Sequence, residues 1–169
     1  MIIQKNLIEQ GTKARPGDQH PKKWIVIHET DNAAPSAGAL NHAKYLKRIS
    51  QQNLQYLSWH YTIDDSNIIQ HIPDDEIAWH AGDGRLKDGG NMSGIGIEIC
   101  VNKNSNFRES VKIAAKLVAF LLKKHKLEIG AVRQHNHFNG KDCPKIIRKY
   151  NFWNEFLKMC NKEFMNLQA

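Results

Sequence analysis

The stretch 24-WIVIH-28 lies between the charged sequence HPKK and the polar sequence ETDNAAPS. A short apolar run with polar and turn-forming residues on both sides is typical of a buried β-strand. His28 would then be the last residue of that strand. Because the ends of strands carry side chains into the cleft at the edge of a sheet, His28 is a candidate functional residue.

A second strand, 94-GIGIEICV-101, has the alternating pattern of a strand with two different faces. One face is apolar and is predicted to lie against the core; it carries Ile95, Ile97 and Ile99. The opposite face carries Gly96, Glu98 and Cys100. An acid and a glycine on one face predict that this face borders a site rather than the core.

The remaining segments alternate between helical and extended patterns. In chain order we expect a helix from Ser36 as N-cap to about Gln52, a hairpin from SWHYTID and NIIQHIP, an exposed glycine-rich loop over Ala81–Ser93, a helix over Arg108–Lys126, a short strand ending near His135, and a last helix from Pro144 to about Met165. Such a mixture predicts an α/β fold, with a central, mostly mixed β-sheet flanked by helices and a cleft at the strand ends.

Length and composition point to one soluble domain. A chain of 169 residues with 41% hydrophobic and 24% charged residues fits a single globular unit. No apolar run approaches the ~20 residues of a membrane span, and the first residues lack a signal-peptide core. We therefore expect no stable membrane insertion and synthesis in the cytoplasm without export. The three cysteines are expected to be free thiols or ligands.

The net charge of +7 favours a polyanionic partner. Nucleic acid, anionic lipid and a bacterial wall rich in phosphate and carboxylate all have that property, and charge alone does not choose among them. The chain has no recognisable reading helix, RNP-type sheet motif or paired-cysteine finger, which argues against nucleic acid.

Three residues match the ligand types of a catalytic zinc site, which normally takes three protein ligands and leaves a fourth position for water. They are His28, His135 and Cys143. Pro144 suits the first position of a helix, so Cys143 is predicted to be the N-cap, where the helix dipole would lower the pKa of its thiol. The alternative is an inert helix-capping thiol. Because no paired Cys-x2-Cys spacing exists, a metal here would occupy an open catalytic site rather than a structural one.

Five motifs in order resemble those of one family: RPG…WIVIHET, SWHYTID, AWHAG, GIGIEICVN and RQHNHFNGKDCP. They are similar to the motifs of the zinc-dependent N-acetylmuramoyl-L-alanine amidases of type 2. This family includes phage endolysins and shares its fold with the animal peptidoglycan recognition proteins. The resemblance covers roughly residues 10 to 160. It implies zinc as the cofactor, in a cleft at the strand ends.

The resemblance also implies roles for individual residues. His28, His135 and Cys143 would be the zinc ligands. Glu98 would activate the zinc-bound water, and its alternative is an edge-strand acid in a structural ion pair. Lys141 would stabilise the oxyanion, and its alternative is a solvated surface lysine.

Two further positions, Tyr61 and His80, match residues that line the active site or contact substrate in the family, although simple packing would also explain them. His137 departs from the family pattern, because many relatives have aspartate there. Its supporting role is therefore open between a partner of a ligand and a loop residue.

Hydrolysis of the amide bond between N-acetylmuramic acid and L-alanine in peptidoglycan is the activity that the resemblance implies. The partner would be peptidoglycan, through its glycan strand and stem peptide. We expect a monomer in which residues 1–169 form one catalytic domain, with a core of about 10–160 and no wall-binding domain. A phage or prophage endolysin would reach the wall through a holin pore. The alternatives are a host autolysin or sporulation amidase, and a non-catalytic peptidoglycan-binding module.

Overall fold

A six-stranded mixed sheet forms the centre of the fold in the computed structural model, which describes residues 1–168. The strands are β1 (Gln4–Lys5), β2 (Trp24–Glu29), β3 (Tyr61–Ile63), β4 (Ile68–Gln70), β5 (Gly94–Ile99) and β6 (Val132–Gln134). They are ordered β1-β4-β3-β5-β2-β6 across the sheet, and only β3 and β4 pair antiparallel. The predicted α/β fold with a mixed sheet is confirmed.

The two strands that were clearest in the sequence are neighbours at the centre of the sheet. β2 and β5 run parallel, and their register places His28 directly beside Glu98. β6 pairs with the other side of β2, so its carboxyl end lies at the same edge of the sheet. The ends of β2, β5 and β6 therefore bring the residues that follow them into one region.

The apolar face of the sheet packs against α3 (Phe107–His125) and α6 (Trp153–Gln168). Ile95, Ile97 and Ile99 are fully buried there, as their spacing predicts. The helices supply their own apolar stripes, including Leu117 of α3 and Phe156 of α6. Because this face takes the main core, the opposite face of β2 and β5 is free to carry polar side chains.

Helix α1 (Ala39–Gln52) packs on that opposite face and contacts β3 and β4. The prediction that Ser36 caps this helix is wrong, because Gly38 occupies the N-cap position and makes no side-chain cap. Asp64, at the end of β3, supplies the cap from a distance by accepting a hydrogen bond of 2.9 Å from the backbone N–H of Ala39. Ala39 and Ala43 of α1 pack against Cys100, which directly follows β5.

The predicted last helix consists of two helices. α5 (Lys145–Lys149) ends at Tyr150, Asn151 follows with a left-handed φ of 53°, and α6 begins at Trp153. Pro144 is the N-cap of α5, so Cys143 lies one residue outside the cap and the predicted N-cap role of Cys143 is wrong.

Three short helical segments have no counterpart among the predicted elements. They are α2 (Gly90–Ser93), a 3-10 turn (Ile129–Ala131) and α4 (Asn136–Asn139). The glycine-rich loop over 81–93 is exposed only in its middle, whereas Ala81, Asn91 and Ser93 at its two ends are buried. Among residues 1–168, none of the helices has the length and apolar character that crossing a bilayer would need.

Candidate metal centre

The structure brings the three predicted ligands together at the carboxyl end of the central strands. His28 lies near the end of β2, His135 directly follows β6, and Cys143 precedes α5. Their ligand atoms all lie within 4.8 Å of one another. Nδ1 of His28 is 3.0 Å from Nδ1 of His135 and 4.0 Å from Sγ of Cys143. All three side chains are buried.

Hydrogen bonds on the far side of each imidazole fix which nitrogen carries the proton. Nε2 of His135 lies 3.0 Å from the carbonyl oxygen of Ala81, which can only accept, so this nitrogen is protonated. Nε2 of His80 lies 3.2 Å from the carbonyl oxygen of Gly94 and is protonated for the same reason. Nδ1 of His80 is then an acceptor, and Nε2 of His28 donates to it over 3.0 Å. Both Nδ1 atoms that face Cys143 are left without a proton.

This donor set fits a zinc ion. Two unprotonated nitrogens that face each other at 3.0 Å repel unless a cation lies between them. Nitrogens bound tetrahedrally to zinc at ~2.0–2.1 Å would be ~3.3 Å apart, and a thiolate sulfur would lie ~3.6 Å from each. Burial lowers the pKa of His28 well below its usual range, and it also lowers the pKa of His135. Both imidazoles are therefore in the neutral form that binds metals.

The thiol of Cys143 differs from the expectation. Burial raises its pKa to about 12, and the nearby carboxyl group of Glu98 adds to the effect. The predicted lowering by a helix dipole is wrong, because Cys143 stands outside the cap of the short helix α5. Without a metal the sulfur holds its proton, so metal binding would release it.

Glu29 connects the first ligand to the third, and the sequence analysis did not identify it. Its two carboxylate oxygens accept hydrogen bonds from the backbone N–H groups of Ile146 and Ile147, over 2.7 and 3.0 Å. A buried carboxylate that directly follows His28 thereby caps α5, the helix that begins just after Cys143. The cap fixes the Cys143 loop against the end of β2.

Glu98 is the acid nearest to the three ligands. Its Oε1 lies 4.0 Å from Nδ1 of His28, and its side chain keeps 15% of its surface exposed. Its Oε2 is buried and has no hydrogen-bond partner among residues 1–168. Burial raises the pKa of Glu98 to about 8, although the positive charge of Lys141 opposes the shift. A carboxyl group with a free oxygen at such a site is available for proton transfer.

Lys141 lies in the exposed turn that leads to Cys143. The backbone of this turn is well fixed: the Lys141 N–H donates to Oδ1 of Asn139 over 2.9 Å, and its carbonyl accepts from Asn136 and Cys143. The side chain is exposed, and its attachment point is held two residues before Cys143.

A cavity of about 520 Å³ opens beside Glu98. Its walls come from the segment between β2 and α1, from α1 itself and from the residues before β3, and they include Thr30, Asn41, Tyr45 and Trp59. Aromatic and amide side chains around a cavity of this size are typical of a small-molecule or polymer-binding cleft.

Tyr61 is not part of this site, which corrects its prediction as a substrate contact. The register of β3 and β5 places Tyr61 beside Ile97 and Thr62 beside Glu98, so Tyr61 faces the apolar core. The side chain is 1% exposed, and its hydroxyl donates a hydrogen bond to Asp74.

The structure places His80 behind a ligand and His137 on the surface, away from the three ligands. His80 lies behind His28 with both ring nitrogens in hydrogen bonds, so it has no free polar atom for a substrate. His137 is exposed on α4 and packs against Trp24, with 6.3 Å between ring centroids, and not against a ligand imidazole.

Together, the mixed sheet and the open His–His–Cys group define an α/β protein with a candidate metal centre of the catalytic type. The family described as N-acetylmuramoyl-L-alanine amidase matches residues 18–146. The chain belongs to this family.

Two relatives come from Bacillus subtilis (strain 168). The chain is 39% identical to N-acetylmuramoyl-L-alanine amidase CwlH, over 93% of its own length and 60% of the relative. It is 38% identical to N-acetylmuramoyl-L-alanine amidase XlyA, over 92% and 49%. The structure of the catalytic domain of XlyA superposes with a TM-score of 0.87 at 36% identity, covering 95% of this chain and 99% of that domain. The chain thus spans about half to three fifths of the two curated relatives, and nearly all of one catalytic domain.

Proposed function

We propose that this protein hydrolyses the amide bond between N-acetylmuramic acid and L-alanine in bacterial peptidoglycan, with a zinc ion held by His28, His135 and Cys143. The main support is that two unprotonated imidazole nitrogens and a thiol lie together beside the carboxyl group of Glu98, whose Oε2 has no hydrogen-bond partner in the described part of the chain. The choice of bond is supported by the names of the two relatives, which are N-acetylmuramoyl-L-alanine amidases.

When bound, zinc would supply a Lewis acid that polarises the scissile carbonyl, makes hydroxide available near neutral pH and favours the ionised form of nearby Glu98. In that form Glu98 accepts the proton of the attacking water through Oε2, which has no hydrogen-bond partner among residues 1–168, and returns it to the departing amine of L-alanine. General acid–base catalysis of this kind contributes ~10²–10⁴-fold to the rate.

Lys141 reaches the negative oxygen that develops on the former carbonyl. Its backbone belongs to a turn fixed by Asn136 and Asn139, which stays beside Cys143. The ammonium group at the end of the side chain can approach the substrate from there. A donor aimed at an oxyanion contributes ~10²–10³ in kcat.

The glycan strand and stem peptide of peptidoglycan would lie in the cleft of about 520 Å³ beside Glu98. We further propose that residues of about 10–160 form the catalytic unit, that the protein acts as a monomer, and that the net charge of +7 serves the polyanionic wall rather than nucleic acid. Release through a holin pore would bring it to the wall. Lysis of cells only when a holin is co-expressed would support that route; lysis without one would contradict it.

Mass spectrometry of purified peptidoglycan after digestion tests the activity. We expect peptides with a new free amine on L-alanine, together with muramic acid that has a free lactyl carboxyl group. A chelator should remove the activity, and zinc should restore it. Glu98→Gln should lose the product but keep its zinc, whereas Glu128→Gln, on an exposed turn, should keep both. Products cut elsewhere in the polymer, or cutting by Glu98→Gln at the normal rate, would contradict the proposal.

A further inference from the structure

His80 makes hydrogen bonds through every polar atom except its carbonyl group, and all of them tie it to the region behind the candidate metal centre. Its backbone N–H donates to Oδ1 of Asn91 over 2.7 Å. Its ring lies between His28 and Gly94, with centroids of the two imidazoles 5.0 Å apart and their planes at 90°. We propose that His80 is a positioning residue that fixes the tautomer and the orientation of His28, an inference that rests on the proposed metal site.

The three groups His28, His80 and Gly94 form a relay of hydrogen bonds, and its direction follows from the carbonyl of Gly94. A backbone carbonyl only accepts, so Gly94 requires the proton on Nε2 of His80. Nδ1 of His80 then requires the proton on Nε2 of His28. Nδ1 of His28 is consequently unprotonated and faces Cys143 and His135, which is the form that a metal needs. Without His80, either nitrogen of His28 could carry the proton.

Room for His80 depends on a glycine in the central strand β5. A side chain at Gly96 would place its Cβ 2.7 Å from Cγ of His80, closer than nonbonded carbon atoms approach. The backbone N–H of Gly96 is meanwhile held by Nδ1 of His60 over 3.0 Å. Gly96 thus forms a gap on the polar face of β5, and the imidazole of His80 fills it.

The glycine-rich loop holds both histidine ligands from behind. Oδ1 of Asn91 accepts hydrogen bonds from the N–H groups of His80 and Ala81, each over 2.7 Å. Asn91 is itself fixed by Asp83 and by the carbonyl of Gly84. Since the carbonyl of Ala81 sets the tautomer of His135, the same short segment sets both imidazoles. The adjacent residues His80 and Ala81 therefore orient the two imidazoles of the candidate metal site.

Two variants at one position separate positioning from simple packing. His80→Leu fills much of the space but offers no acceptor to His28. His80→Asn keeps an acceptor oxygen near the place of Nδ1. We expect His80→Leu to bind zinc ~10–100-fold more weakly, the range for loss of a partner to a metal-bound histidine. His80→Asn should recover most of that loss. Affinity is measured by competition with a chromophoric chelator, and the absorption spectrum of the Co²⁺ form reports distortion of the ligand set.

The metal-free melting temperature of each variant provides the structural control. If His80→Leu weakens zinc binding and His80→Asn restores it at similar melting temperatures, the positioning role is supported. If both variants bind zinc as tightly as the natural sequence, that role is refuted, while the proposed amidase activity stands. If the natural sequence itself binds no zinc, the proposed function fails as well.

A measurement without substitution covers the case in which His80→Leu does not fold. Nitrogen-15 spectra of the zinc-loaded protein distinguish protonated from bare imidazole nitrogens. We expect His28 and His80 each to carry the proton on Nε2, with Nδ1 of His80 bare. A proton on Nδ1 of His80 would reverse the relay and refute the inference.

Discussion

Replacing Glu29 by alanine should destabilise the protein and loosen its third candidate ligand together. The carboxylate accepts two backbone hydrogen bonds, of 2.7 Å from Ile146 and 3.0 Å from Ile147, and caps α5 just after Cys143. Within residues 1–168, no other side chain caps this helix, whose N-cap is Pro144. The substitution therefore leaves two buried or partly buried N–H groups without an acceptor.

The size of the effect follows from two opposing contributions. A hydrogen bond to a charged group contributes ~1.5–3 kcal/mol, so two of them give at most ~6 kcal/mol. Burial raises the pKa of Glu29 despite both bonds, so desolvation of the carboxylate offsets much of that gain. Helix caps removed by mutation cost ~0.5–2 kcal/mol. We expect a loss of about 2 kcal/mol in the free energy of unfolding, or a fall of ~4–8 °C in Tm for a domain of this size.

Urea denaturation of the metal-free protein measures the stability change, and chelator competition measures zinc affinity. Glu29→Gln keeps one acceptor oxygen and should give a smaller loss on both measurements. Glu128→Ala, at an exposed position, should change stability by less than ~0.5 kcal/mol. The reasoning is refuted if Glu29→Ala unfolds like Glu128→Ala, or if it loses stability but binds zinc as before.

Lys141→Ala should lower kcat by ~10²–10³ with little change in zinc affinity, while the exposed Lys145→Ala serves as its control; equal rates for the two would remove Lys141 from the mechanism. Tyr61→Phe should cost ~1.5–3 kcal/mol of stability because it removes a buried bond to Asp74, yet leave the rate per folded molecule unchanged, and a lowered kcat would return Tyr61 to the active site. Burial alone would raise the pKa of Asp74, but hydrogen bonds from His125, Lys124 and Tyr61 outweigh it and hold that pKa well below its usual range. As pH falls, the native state therefore takes up a proton at Asp74 later than the unfolded state does. The stability that ionised Asp74 contributes is fully present above pH ~4 and is lost as pH falls through the low pKa of folded Asp74. In urea titrations from pH 5 to 2, the free energy of unfolding should fall less for Asp74→Asn than for the natural sequence, and equal falls would contradict the assignment.

The features that the sequence predicted well are those recorded in short local patterns. Alternation in GIGIEICV was enough to direct Ile97 into the core and Glu98 toward the site, because a strand has a period of two residues. The same period of two also places Tyr61 on one face with Ile63 and not with Thr62, and so predicts that Tyr61 lies in the core. The resemblance to the family motifs, in contrast, predicts Tyr61 at the active site.

The features that the sequence did not predict depend on residues far apart in the chain. Asp64 caps a helix that begins 25 positions earlier, and Glu29 accepts from a backbone N–H 117 positions later. No window of sequence contains both partners of such a bond. The same holds for the pKa of Cys143, because it follows from how deeply the folded chain buries the thiol rather than from the residue after it.

The separation of the candidate ligands along the chain has a consequence for folding kinetics. His28 and Cys143 are 115 positions apart, and His28 and His135 are 107 apart. Closing loops of that length is slow and requires the parallel pairing of β2 with β5 and β6 to be complete. In partly folded chains, only one or two of the three ligand atoms would therefore be in place. The moment at which a refolding chain captures a metal ion from a coloured indicator would thus time the step that brings the three ligands together.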